Sequence, residues 1–213
     1  MTCRRAPAAF LLGLSLASGL AGLGGCSTTG TSTSTTTAAA AAPAPAPALA
    51  PAPATPVTAP ELSKEVVHLS SNGSTYFGGF PTEQGLRELR ARGVTRIISL
   101  KSVEDVRKAK GYDEEAVAKE LGIELVVIPV SVKSFRAADV DRFRAAYESS
   151  DAPVLIHCGS SNTVGGMWAA YLARVRGMPV GDAMAAGRAA GLNAPEMIRA
   201  TEEVIAAPAK PAT

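Results

Sequence analysis

In Pro153–Met167, PVLIHCGSSNTVGGM, a cysteine follows a histidine at the end of a short apolar run. Val154–Leu155–Ile156 reads as a buried strand that His157–Cys158 closes. Gly159, Ser160, Ser161, Asn162 and Thr163 then form a loop, and a helix starts near Val164. A chain turning from strand to helix aims successive backbone N–H groups inward at the positive end of the helix dipole, which makes an anion site. That potential favours the thiolate of Cys158, the nucleophilic form. Open α/β sheets also place their ligands beyond strand ends of this kind. A plainer reading exists for each residue: a free cysteine is often buried for packing, and Ser, Asn and Thr are good helix caps.

The stretch resembles the phosphate-binding loop of the tyrosine and dual-specificity cysteine phosphatases. Within them it is most similar to the bacterial beta-lactamase-hydrolase-like and NAD-kinase-fused phosphatase domains. A second segment, Gly78–Lys101, GGFPTEQGLRELRARGVTRIISLK, is similar to the opening of that branch, with Phe80 and Lys101 departing from its pattern. The resemblance runs over about Val66–Leu192. It implies Cys158 as nucleophile, His157 bonded to the loop backbone in support of the thiolate, and a cradle from Gly159 to Val164. It also implies an arginine five or six residues after the cysteine, where this chain has Thr163 and Val164.

Phosphomonoester cleavage by a thiol needs three parts: the thiolate, a cation for the charged oxygens, and an acid for the leaving group. Thr163 offers one neutral hydrogen bond in place of a charged fork. The loop expected to carry the acid, Pro129–Phe135, PVSVKSF, has no carboxylate, while Asp139 and Asp141 read as a helix start and its solvated face. Lys133 and Arg136 are candidate surrogate cations. The first functional expectation is therefore a phosphatase-like domain with impaired catalysis, retaining a loop for a phosphate-like anion, a phosphorylated ligand or a partner. The alternative is an active phosphomonoesterase working through a cysteinyl-phosphate on Cys158. Rhodanese-like sulfur transfer is the least supported reading. No cofactor is expected, and no metal, because no cysteine and histidine spacing suits zinc.

The other 213-residue features concern where this domain sits. Arg4 and Arg5 precede an apolar stretch, Ala8–Leu20, which is short for a membrane span and ends in Leu23–Gly24–Gly25–Cys26. That combination looks like a bacterial lipobox and implies a signal peptide over residues 1–25, with lipid on Cys26. Ser27 in the next position favours the outer membrane of a two-membrane host, by the same resemblance. Residues 26–60 read as a disordered Ser/Thr/Ala/Pro tether that reaches on the order of 100 Å if extended. The folded domain is expected over 61–207 and a disordered tail over 208–213. Outside the leader the charges balance at 19 basic and 19 acidic residues, which gives no support to nucleic-acid binding. A protein partner is not legible.

The elements that must position the loop alternate between strand and helix, predicting an α/β fold with a mainly parallel sheet flanked by helices, as in the cysteine phosphatases. Asn72–Gly73 signals a hairpin between Val66–Leu69 and Thr75–Phe77, with His68 on its surface or in the core. Helices are expected from Thr82 to Gly93, over Asp113–Leu121, from Ala137, from Val164 to Gly177, over Val180–Ala190 and over Pro195–Ala206. Thr95–Leu100 and Ile123–Val130 read as strands, the latter apolar enough to be covered on both faces.

Overall fold

The computed structural model describes residues 57–58 and 64–208. The segment read as a signal peptide, Cys26, most of the segment read as a tether and the end of the segment read as a tail lie outside the described residues.

A six-stranded sheet organises the chain, in the order β1-β2-β3-β6-β4-β5. Its strands are β1 (Val57–Thr58), β2 (Ser70–Asn72), β3 (Thr75–Gly78), β4 (Arg96–Ser99), β5 (Glu124–Val127) and β6 (Val154–His157). The β1–β2 and β2–β3 pairs are antiparallel, whereas β3–β6, β6–β4 and β4–β5 are parallel. The hairpin is present but displaced from its expected position. Ser70–Asn72 is its first strand, paired from Ser70–Phe77 to Asn72–Thr75, while Val66 makes only an isolated bridge to Pro81. β1 falls inside the span read as tether, so the sheet extends back to Val57. The surrounding prolines, which lack an N–H donor, hide this two-residue β-branched segment from a reading by composition.

Seven helices connect and cover the strands: α1 (Glu83–Ala91), α2 (Val103–Lys110), α3 (Glu114–Leu121), α4 (Ala137–Tyr147), α5 (Asn162–Arg174), α6 (Val180–Ala189) and α7 (Pro195–Ala206). Thr82 caps α1 through the Gly85 N–H, and Asp113 caps α3 through the Ala116 N–H. α2 has no counterpart among the sequence expectations. Its signal is the box in which Ser102 accepts from the Asp105 N–H while Asp105 accepts from the Ser102 N–H.

Strand side chains alternate between two cores. Phe77, Ile98, Val154 and Ile156 pack with Trp168, Phe143, Tyr171 and Met184, on the side of α4 to α7. Ile97 and Leu155 pack with Leu86, Leu89, Val106 and Val117, on the side of α1 to α3. β4 and β6 are therefore covered on both faces, as expected of parallel strands. β5 is different from its expectation: it is the edge strand, Glu124 and Val127 are exposed, and only the flanking Ile123, Ile128 and Val130 are buried. An apolar run does not distinguish an edge position from a central one.

α5 is buried along most of its length, from Thr163 to Leu172. Its Gly165 permits contact with the α6–α7 corner, since a Cβ there would stand 2.4 Å from both Gly187 O and Leu192 N. The helix that carries the loop is thus locked from behind.

Candidate functional site

The loop after β6 is held on three sides. At its entrance the Leu100 N–H donates to His157 O (2.8 Å) and the Cys158 N–H donates to Gly78 O (3.2 Å), continuing the pairing of both neighbouring strands. In its middle the Phe80 N–H reaches Gly159 O (3.4 Å). At its exit Ser161 adopts the left-handed region (φ 67), and its hydroxyl lies 3.4 Å from Val67 O and 3.5 Å from His68 O. Gly191 packs directly on Ser161: its own φ is +114, and a Cβ there would fall 2.4 Å from Ser161 Cβ. Only glycine meets both conditions.

None of the polar loop residues caps α5. Ser161 makes no side-chain cap, and Asn162 turns away to the α6–α7 connection. Asn162 Oδ1 accepts from the Asn193 and Ala194 N–H groups, both at 2.9 Å, and its Nδ2 donates to Asn193 Oδ1 (2.6 Å). The N–H groups of Gly159, Ser160, Asn162, Thr163 and Val164 donate to no acceptor among the described residues. A row of free donors at the start of a 13-residue helix is what an anion requires.

Cys158 stands at the base of this row with 1% exposure, while Ser160 is exposed at its rim. Thr163 is 9% exposed in the first turn of α5, and Val164 is wholly inside the core. The structure therefore brings together His157, Cys158 and all six cradle residues, and it supplies no guanidinium among them.

Beneath the loop lies a group that sequence reasoning missed. Glu114 Oε1 is 2.7 Å from His157 Nε2, and neither side chain has any exposure. The approach is not an aligned hydrogen bond, and His157 Nδ1 has no partner among the described residues. A carboxylate removed from water is tolerated only beside a partner of this kind. Nearby, burial first and then the charge of Glu114 push the Tyr112 phenol far above its ordinary range. The side chain donates to Pro81 O (3.3 Å). Glu114 stands between Asp113 and Glu115 in the sequence, and nothing in that pattern signals burial.

Lys133 is exposed, and Arg136 uses its guanidinium on Phe135 O (2.7 Å) and Lys133 O (3.1 Å), carbonyls of its own loop. Both follow β5, which β4 separates from β6. Lys101 is nearer in the topology: it follows Leu100, whose N–H bonds His157 O, and it is half-buried. Asp139 accepts from the Arg136 N–H (2.8 Å) at the start of α4 and pairs with Arg142, while Asp141 is exposed on the outer face of the helix. The described residues contain no group of three metal-ligating side chains.

A mixed, mainly parallel α/β sheet whose central strand ends at His157 and runs into Cys158, followed by a backbone cradle and a buried helix, defines a cysteine-phosphatase-like protein. Over residues 52–203 the chain matches the family described as DSP-PTPase phosphatase fused to NAD+ kinase, and it belongs to that family. A comparison with curated proteins finds no match. Among solved structures it is similar to a DUF442 protein, assigned as a phosphatase, from Shewanella putrefaciens CN-32. The identity is 25%, with 68% of this chain and 96% of that chain covered and a TM-score of 0.56. It also shares the fold of TpbA from P. aeruginosa, at 20% identity, 73% and 89% coverage and a TM-score of 0.53. A cysteine-to-serine form of TpbA has been solved in complex with pTyr, and its match is 19% identical with a TM-score of 0.53.

Proposed function

We propose that this chain presents a phosphatase-like domain that binds a phosphate-like anion in the cradle of residues 158–164 and turns over phosphomonoesters poorly. The observation that supports this is the pairing of free N–H groups around Cys158 with Thr163 and Val164 where the family pattern calls for arginine. Backbone donors survive substitution of side chains, so binding persists. The charged fork that stabilises a transferring phosphoryl group does not, and its loss costs about 10³–10⁵ in rate in comparable enzymes. Arg136 is engaged by its own carbonyls, and the loop after β5 brings no carboxylate.

The alternative is an active phosphomonoesterase. In it the Cys158 thiolate forms a bond to phosphorus as the P–O ester bond breaks, and the leaving oxygen takes a proton from solvent. Water then attacks phosphorus and the S–P bond breaks, releasing inorganic phosphate and the thiolate. Lys101, beside the end of β4, is the residue that favours this reading as a cation.

Steady-state hydrolysis of p-nitrophenyl phosphate by the full chain, compared with Cys158→Ser, separates the two. Equal background rates, together with phosphate binding by calorimetry, are expected. Turnover well above that of Cys158→Ser rules out the impaired enzyme, and absence of phosphate binding rules out the anion cradle.

The domain is further proposed to act in a bacterial envelope, anchored by lipid on Cys26 and spaced from the membrane by the tether. The Leu23–Gly24–Gly25–Cys26 sequence after an apolar stretch supports this. Metabolic labelling with a fatty-acid analogue is expected to mark the wild-type chain and not Cys26→Ala; equal labelling overturns it.

A further inference from the structure

Side chains alternate along β6, so His157 points into the layer of α1 to α3 while Ile156 and Cys158 pack on the side of α5. There His157 meets Glu114, the first residue of α3, at 2.7 Å, and neither side chain has any exposure. The Phe80 ring lies 6.4 Å from the imidazole, centre to centre, and packs against the same core. Tyr112, two residues before Glu114, gives its hydrogen to Pro81 O instead. Among the described residues the carboxyl and the imidazole therefore have only each other. An apolar pair of the same volume is often at least as stable as two such groups held away from water. Packing alone does not call for them.

At 2.7 Å two bare lone pairs repel, so a proton stands between Glu114 Oε1 and His157 Nε2. Were it the only proton on the pair, Nδ1 would be bare and the sealed site would carry a net negative charge, which burial penalises heavily. With a hydrogen on Nδ1 as well, the site is neutral whichever partner holds the shared proton. The covalent structure of imidazole sets Nδ1 next to Cγ, at the end of the ring nearer the main chain, and Nε2 at the far end. The pair is thus polarised. Its negative end lies at the start of α3, where the helix dipole favours a carboxylate. Its positive end lies towards the peptide that leads into the cradle, where it adds to the potential of the free N–H groups.

We infer that Glu114 is a positioning residue for the anion cradle: acting through His157, it keeps the hydrogen-bearing Nδ1 end of the imidazole towards the loop entrance and so strengthens anion binding. This rests on the cradle proposed above and deepens it. Neither side chain touches the anion. Glu114 fixes the ring, and the ring acts on the main chain that holds the anion. The layer of α1 to α3, which contributes no cradle residue, thereby gains a hold on the site from across the sheet.

The test is calorimetric binding of inorganic phosphate by the full chain, by Glu114→Gln, by His157→Asn and by the double variant. Glu114→Gln keeps the shape and removes the charge. It is expected to weaken phosphate binding about tenfold, the lower end of what the partner of a metal-bound histidine contributes at its site. In the His157→Asn background the same substitution is expected to change nothing, because the route from Glu114 to the loop is gone. A purely structural carboxyl would lower the thermal midpoint and leave the phosphate affinity of the folded protein intact. An equal loss in both backgrounds also overturns the inference, since Glu114 would then act by another route.

The wild type supplies a second readout, independent of whether the Glu114 variants fold. The chain has two histidines, His68 and His157, so ¹⁵N spectra of histidine-labelled protein, assigned with His68→Asn, report on His157 Nδ1 directly. A hydrogen-bearing Nδ1 at neutral pH is expected, and a bare Nδ1 overturns the inference. If inorganic phosphate binds the wild type and Glu114→Gln equally, the positioning role is wrong and the cradle stands. Failure of the wild type to bind inorganic phosphate removes the cradle and the positioning role together.

Discussion

The two ends of β6 are built on opposite principles. At its start, polar groups are satisfied among themselves. Arg96 donates to Glu124 (2.6 and 3.0 Å), to Ala146 O (2.7 Å) and to the Ser149 hydroxyl, and the Thr75 and Tyr147 hydroxyls share a hydrogen bond (2.8 Å). The Tyr171 hydroxyl donates to Glu148 (3.0 Å) and accepts from Arg176 (3.3 Å). At its other end a row of backbone donors has no acceptor, and the Ser70 hydroxyl has no partner, among the described residues. Helices run back along the sheet, so the N-terminus of α5 meets the loop at the end away from the Arg96 and Tyr171 contacts. Stability is concentrated where strands begin, and ligand chemistry is left open where they stop.

The strongest way to break this contrast is to supply the missing charge. Thr163→Arg is expected to raise the rate of p-nitrophenyl phosphate hydrolysis by roughly 10³-fold, with the gain lost in the Cys158→Ser double variant. Val164→Arg tests the same lesion from inside the core, where Val164 has no exposure. It is expected to unfold the domain, seen as loss of a cooperative thermal transition. A silent but folded Thr163→Arg would mean that the cation is not the only part lacking.

Glu114 is the exception to the division, a carboxyl group buried beneath the open end. Glu114→Ala strands His157 without exposure and is expected to cost about 3 kcal/mol in urea unfolding. At the satisfied end Arg96→Ala is expected to cost about 2 kcal/mol, less because Glu124 is 58% exposed and returns to water. Phosphate binding by Arg96→Ala should equal that of the wild type, and a clear loss would show that the two ends are coupled.

The smallest effect is a dependence on pH at the satisfied end. Burial first, and then the neighbouring Glu148, push the Tyr171 phenol up to about 12 against opposition from Arg176. The folded state therefore holds this proton more tightly than the unfolded chain, whose phenol titrates near 10. Its contribution is intact below pH 10 and is lost as pH rises towards 12. Urea midpoints of Tyr171→Phe should fall less steeply than those of the wild type across that window; parallel curves would remove Tyr171 as the cause.

Much of the scaffold was legible in the chain because its signals are local. Thr82, Asp113 and Pro195 mark helix starts, Gly93 and Gly122 follow helix ends, and Val154–Cys158 followed by small residues announces a strand, a loop and a helix. Those features depend on residues within a turn or two of one another. The signal of α2 is equally local, its Ser102–Asp105 box, but its interior buries only Val106, so no apolar stripe announces it. The first strand of the hairpin is Ser70–Asn72 and not the apolar Val66–Leu69, since apolar residues also serve to pack loops.

Residue identity by itself determined that a cysteine stands just before a helix start, that Thr163 and Val164 and not arginine stand five and six residues after it, and that no carboxylate lies in the loop after β5. Tertiary structure decided the rest. The sheet order put β4 between β6 and β5, which brought Lys101, next to Leu100, beside the loop, while the Arg136 guanidinium turned to the carbonyls of Phe135 and Lys133. Packing carried Glu114 to His157 across 43 positions, and gathered His68, Ser70, Ser160, Gly191 and Asn193 around one cavity. Those contacts join segments distant in sequence through a shared core, and no periodicity or spacing along a single chain records which distant segments will meet.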